Sequence, residues 1–331
     1  MKVKKIALGF SLIVATGLLI LSCKKTANVA PEPDLELQSS IDVSYAAMIV
    51  TDVDMICAYL GENNLAPKFY LPSAVSSGSY AVNRDTVNRT LFISFNKTKC
   101  LDGRLRDGTI SMNYSVTNVN AKYYRNFEFV GNVSFFGYKV DGWSIELRNS
   151  FFIKNLLTSP SYSPSTTNLS WSLNGDFDMK HPSDPTKNIH ANVDLTKTLL
   201  NTSSPTVFPT SKLAAINWSL AVVEYKGKMV GETSGNVPFK YEITGANPLV
   251  RDFTCYPDKI SGVAITGNTV TPRFEEYHPF LNGSASFTTS TAYPRVIHYG
   301  SEDRSTPQCD NTGAVTIKGI SYPINFVKEY K

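Results

Sequence analysis

Apolar and polar residues alternate with a period of two from about residue 90 onward. The clearest runs place isoleucine, leucine, methionine or an aromatic residue at every second position, as in Ile110–Tyr114 and Leu169–Leu173. Successive side chains of a β-strand point to opposite faces, so this period predicts strands with one buried face. Dipeptides typical of turns, such as Asp141-Gly142 and Asn174-Gly175, recur along the same part of the chain and predict turns between the strands. The pattern predicts an all-β fold, either an antiparallel sandwich or an elongated multi-sheet meander.

One segment ahead of the strands has a helical period instead. Between residues 40 and 60 apolar side chains recur at intervals of three and four, which predicts one short N-terminal helix. Ser39 or Ser40 is placed to cap its start, and Gly61 is placed to end it. Three acidic residues lie in this segment, and we expect them on a solvent-exposed face: Asp42, Asp52 and Asp54.

The first 22 residues have the pattern of a bacterial lipoprotein signal peptide. Three lysines within the first five residues precede an apolar run, Ile6–Leu21, which ends in Ser22-Cys23. An ordinary secretory signal ends in a small-x-small site, and a membrane-spanning helix needs about 20 apolar residues, so both alternatives fit less well. The sequence predicts cleavage before Cys23 and attachment of lipid, palmitate included, to this cysteine.

The remaining chain divides into a tether and a body. Residues 23–38 are polar and contain two prolines, which favours an extended tether, and residues 39–331 form the predicted body. The net charge is +4, but three of the positive charges belong to the signal peptide, and no basic patch indicates nucleic acid. Lys24 and Lys25 follow the lipidated cysteine directly, whereas acidic residues begin at Glu32. Export of lipoproteins to the cell surface tends to need acidic residues just after the lipidated cysteine. We therefore expect this protein at the periplasmic face of the outer membrane rather than at the cell surface.

Two stretches of the body are similar to each other. Each reads as a strand, a loop with cysteine and aspartate, a turn and a second strand, at residues 91–112 and 296–317. This similarity suggests two related halves, about 85–200 and 213–331, within the body. Chance similarity between two hairpins is the alternative.

Five cysteines are present, and Cys23 is assigned to lipid. The other four allow two disulfides in an oxidising compartment, with three connectivities, or buried free thiols. If the halves are related, the expected pairs are Cys57 with Cys100 and Cys255 with Cys309.

Two groups of motifs resemble a known family. The first group is a strand ending at Cys100, followed by Asp102-Gly103-Arg104 and an isoleucine-containing strand, and the second is Cys309-Asp310-Asn311 between strands near the end of the chain. In these motifs the chain resembles a family of uncharacterised lipoproteins of Bacteroidota. The resemblance implies an all-β fold and a bacterial envelope setting, and it carries no established activity. The insert at residues 300–308 and the presence of Cys57 depart from the family pattern.

Few residues point to chemistry. The chain has four histidines, none in a metal-binding spacing, and it lacks nucleotide-binding and hydrolase motifs, so we predict no enzyme activity and no cofactor. Asp176 and Asp178 are weak candidates for a calcium site, since residues two apart on a strand share a face. A solvated strand face after the Asn174-Gly175 turn is the favoured interpretation of these two residues. Thr86, in Asp85-Thr86-Val87, resembles an O-glycosylation acceptor of Bacteroidota.

Aromatic residues crowd one stretch and allow two interpretations. These residues are Tyr123, Tyr124, Phe127, Phe129, Phe135, Phe136, Tyr138 and Trp143. Such side chains either fill a core or form a platform for sugars. We predict a lipid-anchored envelope protein with a non-catalytic structural or interaction role, whose partners are the membrane and an envelope protein or glycan. A glycan-binding surface lipoprotein is the second hypothesis, and a hydrolase is the third.

Overall fold

The computed structural model describes residues 36–62, 78–85, 87–100, 102, 104–114, 121–160, 168–200, 207, 216–253, 255, 264–266, 269–271, 280–300 and 312–325. These residues form an antiparallel β-fold with one α-helix, which confirms the predicted fold class. The elements are α1 Gln38–Leu60, β1 Ser79–Asp85, β2 Thr90–Lys99, β3 Leu105–Tyr114, β4 Val130–Val140, β5 Trp143–Leu147, β6 Phe151–Asn155, β7 Ser170–Lys180, β8 Ile189–Leu199, a short 3₁₀-helix Trp218–Leu220, β9 Val222–Glu232, β10 Pro238–Ile243, β11 Leu249–Asp252, β12 Ala264–Thr266, β13 Thr269–Thr271, β14 Ser284–Thr289, β15 Arg295–Tyr299, β16 Thr312–Ile317 and β17 Ile320–Asn325.

Fifteen of these strands form one sheet that follows the chain order. The path runs β1-β2-β3-β4-β5-β7-β8-β9-β10-β14-β15-β16-β17, with β6 beside β4 and β7, and β11 beside β9. The separate hairpin is β12-β13. The two predicted halves share this sheet, because β8 pairs with β9 from His190–Glu232 to Leu199–Val223. Their common origin stays a prediction.

Helix α1 begins two residues earlier than expected and is capped by a different side chain. Leu37 is the N-cap residue and makes no side-chain cap. Instead, Glu36 Oε1 accepts a 2.8 Å hydrogen bond from the Ser39 N–H, which satisfies one of the free donors of the first turn. Gly61 ends the helix as predicted, but its φ of −71° is open to any residue. Glycine fits there because an added Cβ would lie 2.8 Å from Tyr124 Cβ.

The sheet surrounds α1, and this overturns one prediction. Every helix residue from Ser39 to Leu60 is buried, so the expected solvent-exposed face for Asp42, Asp52 and Asp54 is wrong. Strands that are far apart in the sheet reach the helix: Tyr45 packs against Trp143 of β5, and the Ser44 hydroxyl lies 2.8 Å from the Tyr299 hydroxyl of β15. A helix that is apolar on all sides is buried on all sides, and its acidic residues are buried with it.

One predicted turn forms and another does not. Asp141 and Gly142 both have positive φ, 50° and 88°, and join β4 to β5 as a two-residue hairpin turn. Asn174 and Gly175 lie inside β7, so the turn predicted there is wrong. An added Cβ on Gly175 would lie 2.7 Å from Phe151 Cδ2. This glycine therefore serves the close approach of two strands.

Candidate functional site

The two cysteines predicted to form the first disulfide are free and buried. Cys57 lies near Asp54 and Lys197, whereas Cys100 lies near Asp102, Arg106 and Asp52. Asp52 and Asp54 are two residues apart on the helix and therefore point in different directions. The cysteines thus belong to two different polar clusters, and the Cys57–Cys100 pairing is wrong.

The other predicted modification sites fall largely outside the described residues. Cys23, Thr86 and Cys309 lie there, so lipidation, glycosylation and the Cys255–Cys309 disulfide stay predictions. Cys255 is buried and is not one of the free cysteines. Asp85 precedes Thr86 at an exposed turn, where its Oδ1 accepts backbone hydrogen bonds from Val87 and Asn88.

Half of the eight crowded aromatic residues are buried in the core. Tyr124, Phe129, Tyr138 and Trp143 are buried, which confirms the core interpretation for these four. Phe136 differs, because it is 64% exposed on β4. A second large aromatic residue, Phe152 on β6, is 45% exposed and pairs across the sheet with Asn132 and Asn174.

A groove opens on the sheet where β4 separates from its neighbours. β4 pairs with β5 through Lys139 and Val140 and with β6 through Val130–Val133, but no ladder pair joins residues 134–138 to residues 145–150. The resulting groove has a volume of about 620 Å³. Its lining is mixed, with serine and asparagine beside Phe135, Glu146 and Arg148. Its size lies within the usual range for ligand sites, about 300–1,000 Å³.

The two weak calcium candidates lie on β7 close to this groove. His190 lies between them, with Nε2 3.1 Å from Asp176 Oδ1 and Nδ1 3.2 Å from Asp178 Oδ1. Arg148, which lines the groove, donates from Nε to Asp178 Oδ2 at 2.9 Å. Side-chain nitrogens thus contact both carboxylates. Within the described residues no group of three or more His, Cys, Asp or Glu side chains could hold a metal ion.

The second polar arrangement is internal and centres on Asp52 of α1. Arg106 of β3 and Arg251 of β11 each donate to one of its carboxylate oxygens at 2.7 Å. Arg106 also binds Asp102, the aspartate of the predicted Cys-Asp turn, whose Oδ1 accepts from the Arg104 N–H as expected for a turn residue. Burial acts to raise the pKa of Asp52, but Arg251 and Arg106 outweigh it and hold this pKa below its usual value.

A third arrangement surrounds the Lys197 ammonium group inside the body. Lys197 on β8 is directly opposite Trp171 of β7 and Tyr225 of β9. Its Nζ lies 2.8 Å from Asp54 Oδ2 and 2.6 Å from the Tyr124 hydroxyl. Burial lowers the pKa of Lys197, and the adjacent Asp54 opposes that effect.

The end of α1 has its own buried ion pair. The Glu62 carboxylate accepts hydrogen bonds from the Arg125 guanidinium, the Arg125 N–H and the Ile216 N–H. Burial raises the pKa of Glu62 to about 7, although Arg125 acts in the opposite direction. The helix is thus held by ionic contacts near its middle and at its end.

Sequence reasoning missed these buried basic residues, but a signal for two of them exists. Lys197 continues the alternation Ile189, Ala191, Val193, Leu195, and Arg251 stands between Leu249 and Phe253 at the same spacing. A basic residue at an inward position of a strand needs a buried acidic partner. Asp52 and Asp54 of the apolar helix α1 are such partners, Asp52 for Arg251 and Asp54 for Lys197.

Comparisons with known proteins identify no relative of this chain. No family model, curated protein or solved structure matches the chain. Among the described residues α1 is long and apolar enough to cross a membrane, yet all of its apolar window is buried inside the protein.

Proposed function

We propose that this chain is a lipid-anchored cell-envelope protein with a non-catalytic interaction role, and that it binds its partner at the groove beside β4. The single observation behind the binding site is the interrupted ladder between residues 134–138 and 145–150. This interval of β4 pairs with β3 on one side only, and a strand edge without a neighbour presents backbone donors and acceptors that a ligand can satisfy.

The charges around the groove support binding rather than catalysis. Glu146 lies 2.5 Å from Lys180 Nζ, and Asp178 is bound by Arg148 and His190. A general acid or base needs a side chain that can exchange a proton with the substrate. Carboxylates held by Lys180 and Arg148 instead provide fixed charges for recognition.

Photo-crosslinking in the native envelope tests this site. A photoreactive phenylalanine analogue replaces Phe136, which is 64% exposed and stands in the chain between the groove-lining residues Phe135 and Gly137. The same analogue at Ile320, which is 57% exposed on another part of the sheet, serves as the matched control. We expect a discrete crosslinked product from position 136 and none from position 320. Equal products from both positions, or none from either, would contradict a partner at the groove.

The anchor has a separate test. A Cys23→Ala variant of the full chain should leave the membrane fraction and appear in the soluble envelope fraction, because the lipid attachment point is lost. Protease accessibility in intact cells then distinguishes the periplasmic face of the outer membrane from the surface. A variant that stays with membranes would contradict lipid anchoring through Cys23.

A glycan is the second candidate ligand, and two exposed rings favour it. Phe136 and Phe152 offer flat apolar faces, and Phe152 has asparagines on both neighbouring strands. An aromatic face beside amide groups suits a sugar ring and its hydroxyl groups. Array binding that is lost in Phe136→Ala and Phe152→Ala, but kept in Ile320→Ala, would support this candidate. Binding that is equal in all variants would exclude Phe136 and Phe152 as parts of a glycan site.

A further inference from the structure

The Lys197 site brings an amine and a carboxyl group into contact in a place without solvent. Both side chains are fully buried, and Lys197 Nζ lies 3.0 Å from Asp54 Oδ1 and 2.8 Å from Asp54 Oδ2. These contacts hold Nζ beside both oxygens of the carboxyl group, and fixed proximity of an amine to the carboxyl group that it attacks can replace a large part of a reaction barrier. Amine and carboxyl are the two halves of an amide.

The surroundings of this pair are aromatic. Lys197 Nζ lies 4.5 Å from the centroid of the Tyr124 ring, 4.9 Å from that of Trp171 and 4.8 Å from that of Trp218. Such a cage excludes water and gives a low dielectric, so a charged pair in it bears a large desolvation cost. Neutral products avoid that cost.

Tyr124 connects the two reacting groups. Its hydroxyl donates to Asp54 Oδ1 at 2.5 Å and accepts from Lys197 Nζ at 2.6 Å. A proton on the ammonium can therefore reach the carboxylate through this hydroxyl, which leaves a neutral amine beside a neutral carboxylic acid. Tyr225 donates to the other oxygen, Asp54 Oδ2, at 3.1 Å, where it can stabilise developing negative charge.

We propose that Lys197 and Asp54 condense in the folded protein to form an intramolecular isopeptide bond. The Lys197 Nζ–Asp54 Cγ bond forms, one Cγ–O bond breaks, and the departing oxygen leaves with two protons as one water molecule. The nitrogen lone pair supplies the electrons of the new bond, and no oxidant or other reactant is required. Rotation about the Cβ–Cγ bond of Asp54, a torsion with a broad minimum, turns the face of the carboxyl carbon toward Nζ.

This bond would join the N-terminal helix to the middle of the sheet. Asp54 belongs to α1 and Lys197 to β8, and 143 positions separate them in the chain. A force applied through the tether would then act on a covalent connection and not on packing alone. The inference concerns the interior of the body and is independent of the proposed groove ligand.

Mass spectrometry of the full-length protein tests the proposal directly. After reduction, denaturation and trypsin digestion, we expect a branched peptide that contains Asp54 and Lys197 and is lighter by one water molecule than its two parts together. Trypsin cuts after free lysine, so complete cleavage after Lys197, with Asp54 in an unmodified linear peptide, would overturn the proposal. This measurement uses the unmodified sequence and does not depend on how any variant folds.

Variants then identify the side chains that form the bond. Lys197→Arg and Asp54→Ala should abolish the branched peptide, whereas Asp54→Asn should give the same product with loss of ammonia. Lys240→Arg, at a lysine that is 57% exposed, is the matched control and should leave the branched peptide unchanged. A Tyr124→Phe variant keeps the ring but loses the proton path, so the crosslinked fraction should fall. A crosslink that persists in Lys197→Arg would overturn the assignment of Nζ.

Discussion

Arg251 of β11 donates a 2.7 Å hydrogen bond to Asp52 of α1, although 199 positions separate the two residues. Arg106 of β3 binds the other oxygen of the same carboxylate, so strands from both predicted halves meet at one helical residue. The buried cations of the sheet and the acid of the helix therefore make a single connection across the body.

Removal of the Asp52 carboxylate should be strongly destabilising. An Asp52→Ala variant leaves two buried guanidinium groups without this partner, and breaking a buried ion pair costs about 3–5 kcal/mol. The measurement is the free energy of unfolding in urea. Asp194→Asn is the control, because Asp194 and its partner Lys228 are 59% and 58% exposed, and it should change stability little. Equal losses in the two variants would contradict the central role of Asp52.

Stability should fall as the pH rises through the range in which Glu62 loses its proton. The pKa of Glu62 rises from an ordinary 4.5 to about 7 in the folded protein, with burial as the main cause. Between these values the folded state holds a proton that the unfolded state has released, so this contribution is complete at low pH and is lost by about pH 7.

A Glu62→Gln variant isolates this effect. The variant lacks the titrating group, so between pH 4.5 and about 7 its free energy of unfolding should depend less on pH than that of the parent. A constant difference in stability between the two proteins does not affect this comparison of slopes. Parallel pH profiles for parent and variant would show that Glu62 does not titrate there.

The thiols of Cys57 and Cys100 should be unreactive in the native protein. Burial raises the pKa of Cys57 well above its usual range and that of Cys100 to about 12, and the thiolate is the reactive form. Alkylation at neutral pH should leave both unmodified until urea unfolds the chain, when both react without prior reduction. If peptide mapping instead finds the two cysteines joined, the description of them as free is wrong.

An added methyl group at Gly61 should disturb the end of α1. Its Cβ would lie 2.8 Å from Tyr124 Cβ, and overpacking of this kind costs about 1–3 kcal/mol. Gly245 provides the matched control, since an added Cβ there meets nothing within 4 Å. We expect the melting temperature to be lower than that of the parent for Gly61→Ala and not lowered for Gly245→Ala.

The strands were predictable because burial of one face imposes a period of two. Trp171 and Leu173 of β7 and Ile110 and Met112 of β3 are buried where the alternation places them. The same rule would have located Lys197 and Arg251 inside the body. The residue type alone predicts a solvent-exposed position for a lysine or an arginine. Only the place of these two residues in the alternation indicates a buried position.

The surroundings of α1 were not predictable from its own sequence. A helical period with three aspartates is typical of an amphipathic helix with one solvent-exposed face. This pattern is the reason that the three aspartates were predicted to be solvent-exposed. Burial on all sides depends on strands as distant as β15. The groove was also not predictable from the sequence. It depends on where β5 and β6 stop pairing with β4, and tertiary contacts set that register.

Before the sheet exists, α1 is an apolar segment that is long and apolar enough to cross a membrane. On the proposed export route, such a segment would have to pass the bilayer without remaining in it. Each aspartate near the centre of an inserting helix costs about 2.5–3.5 kcal/mol, and Asp52 and Asp54 lie near the centre of this one. On that proposed route, the carboxylates that later bind Arg251, Arg106 and Lys197 would also act against retention of the helix in lipid, so that it stays available for the strands that follow it in the chain.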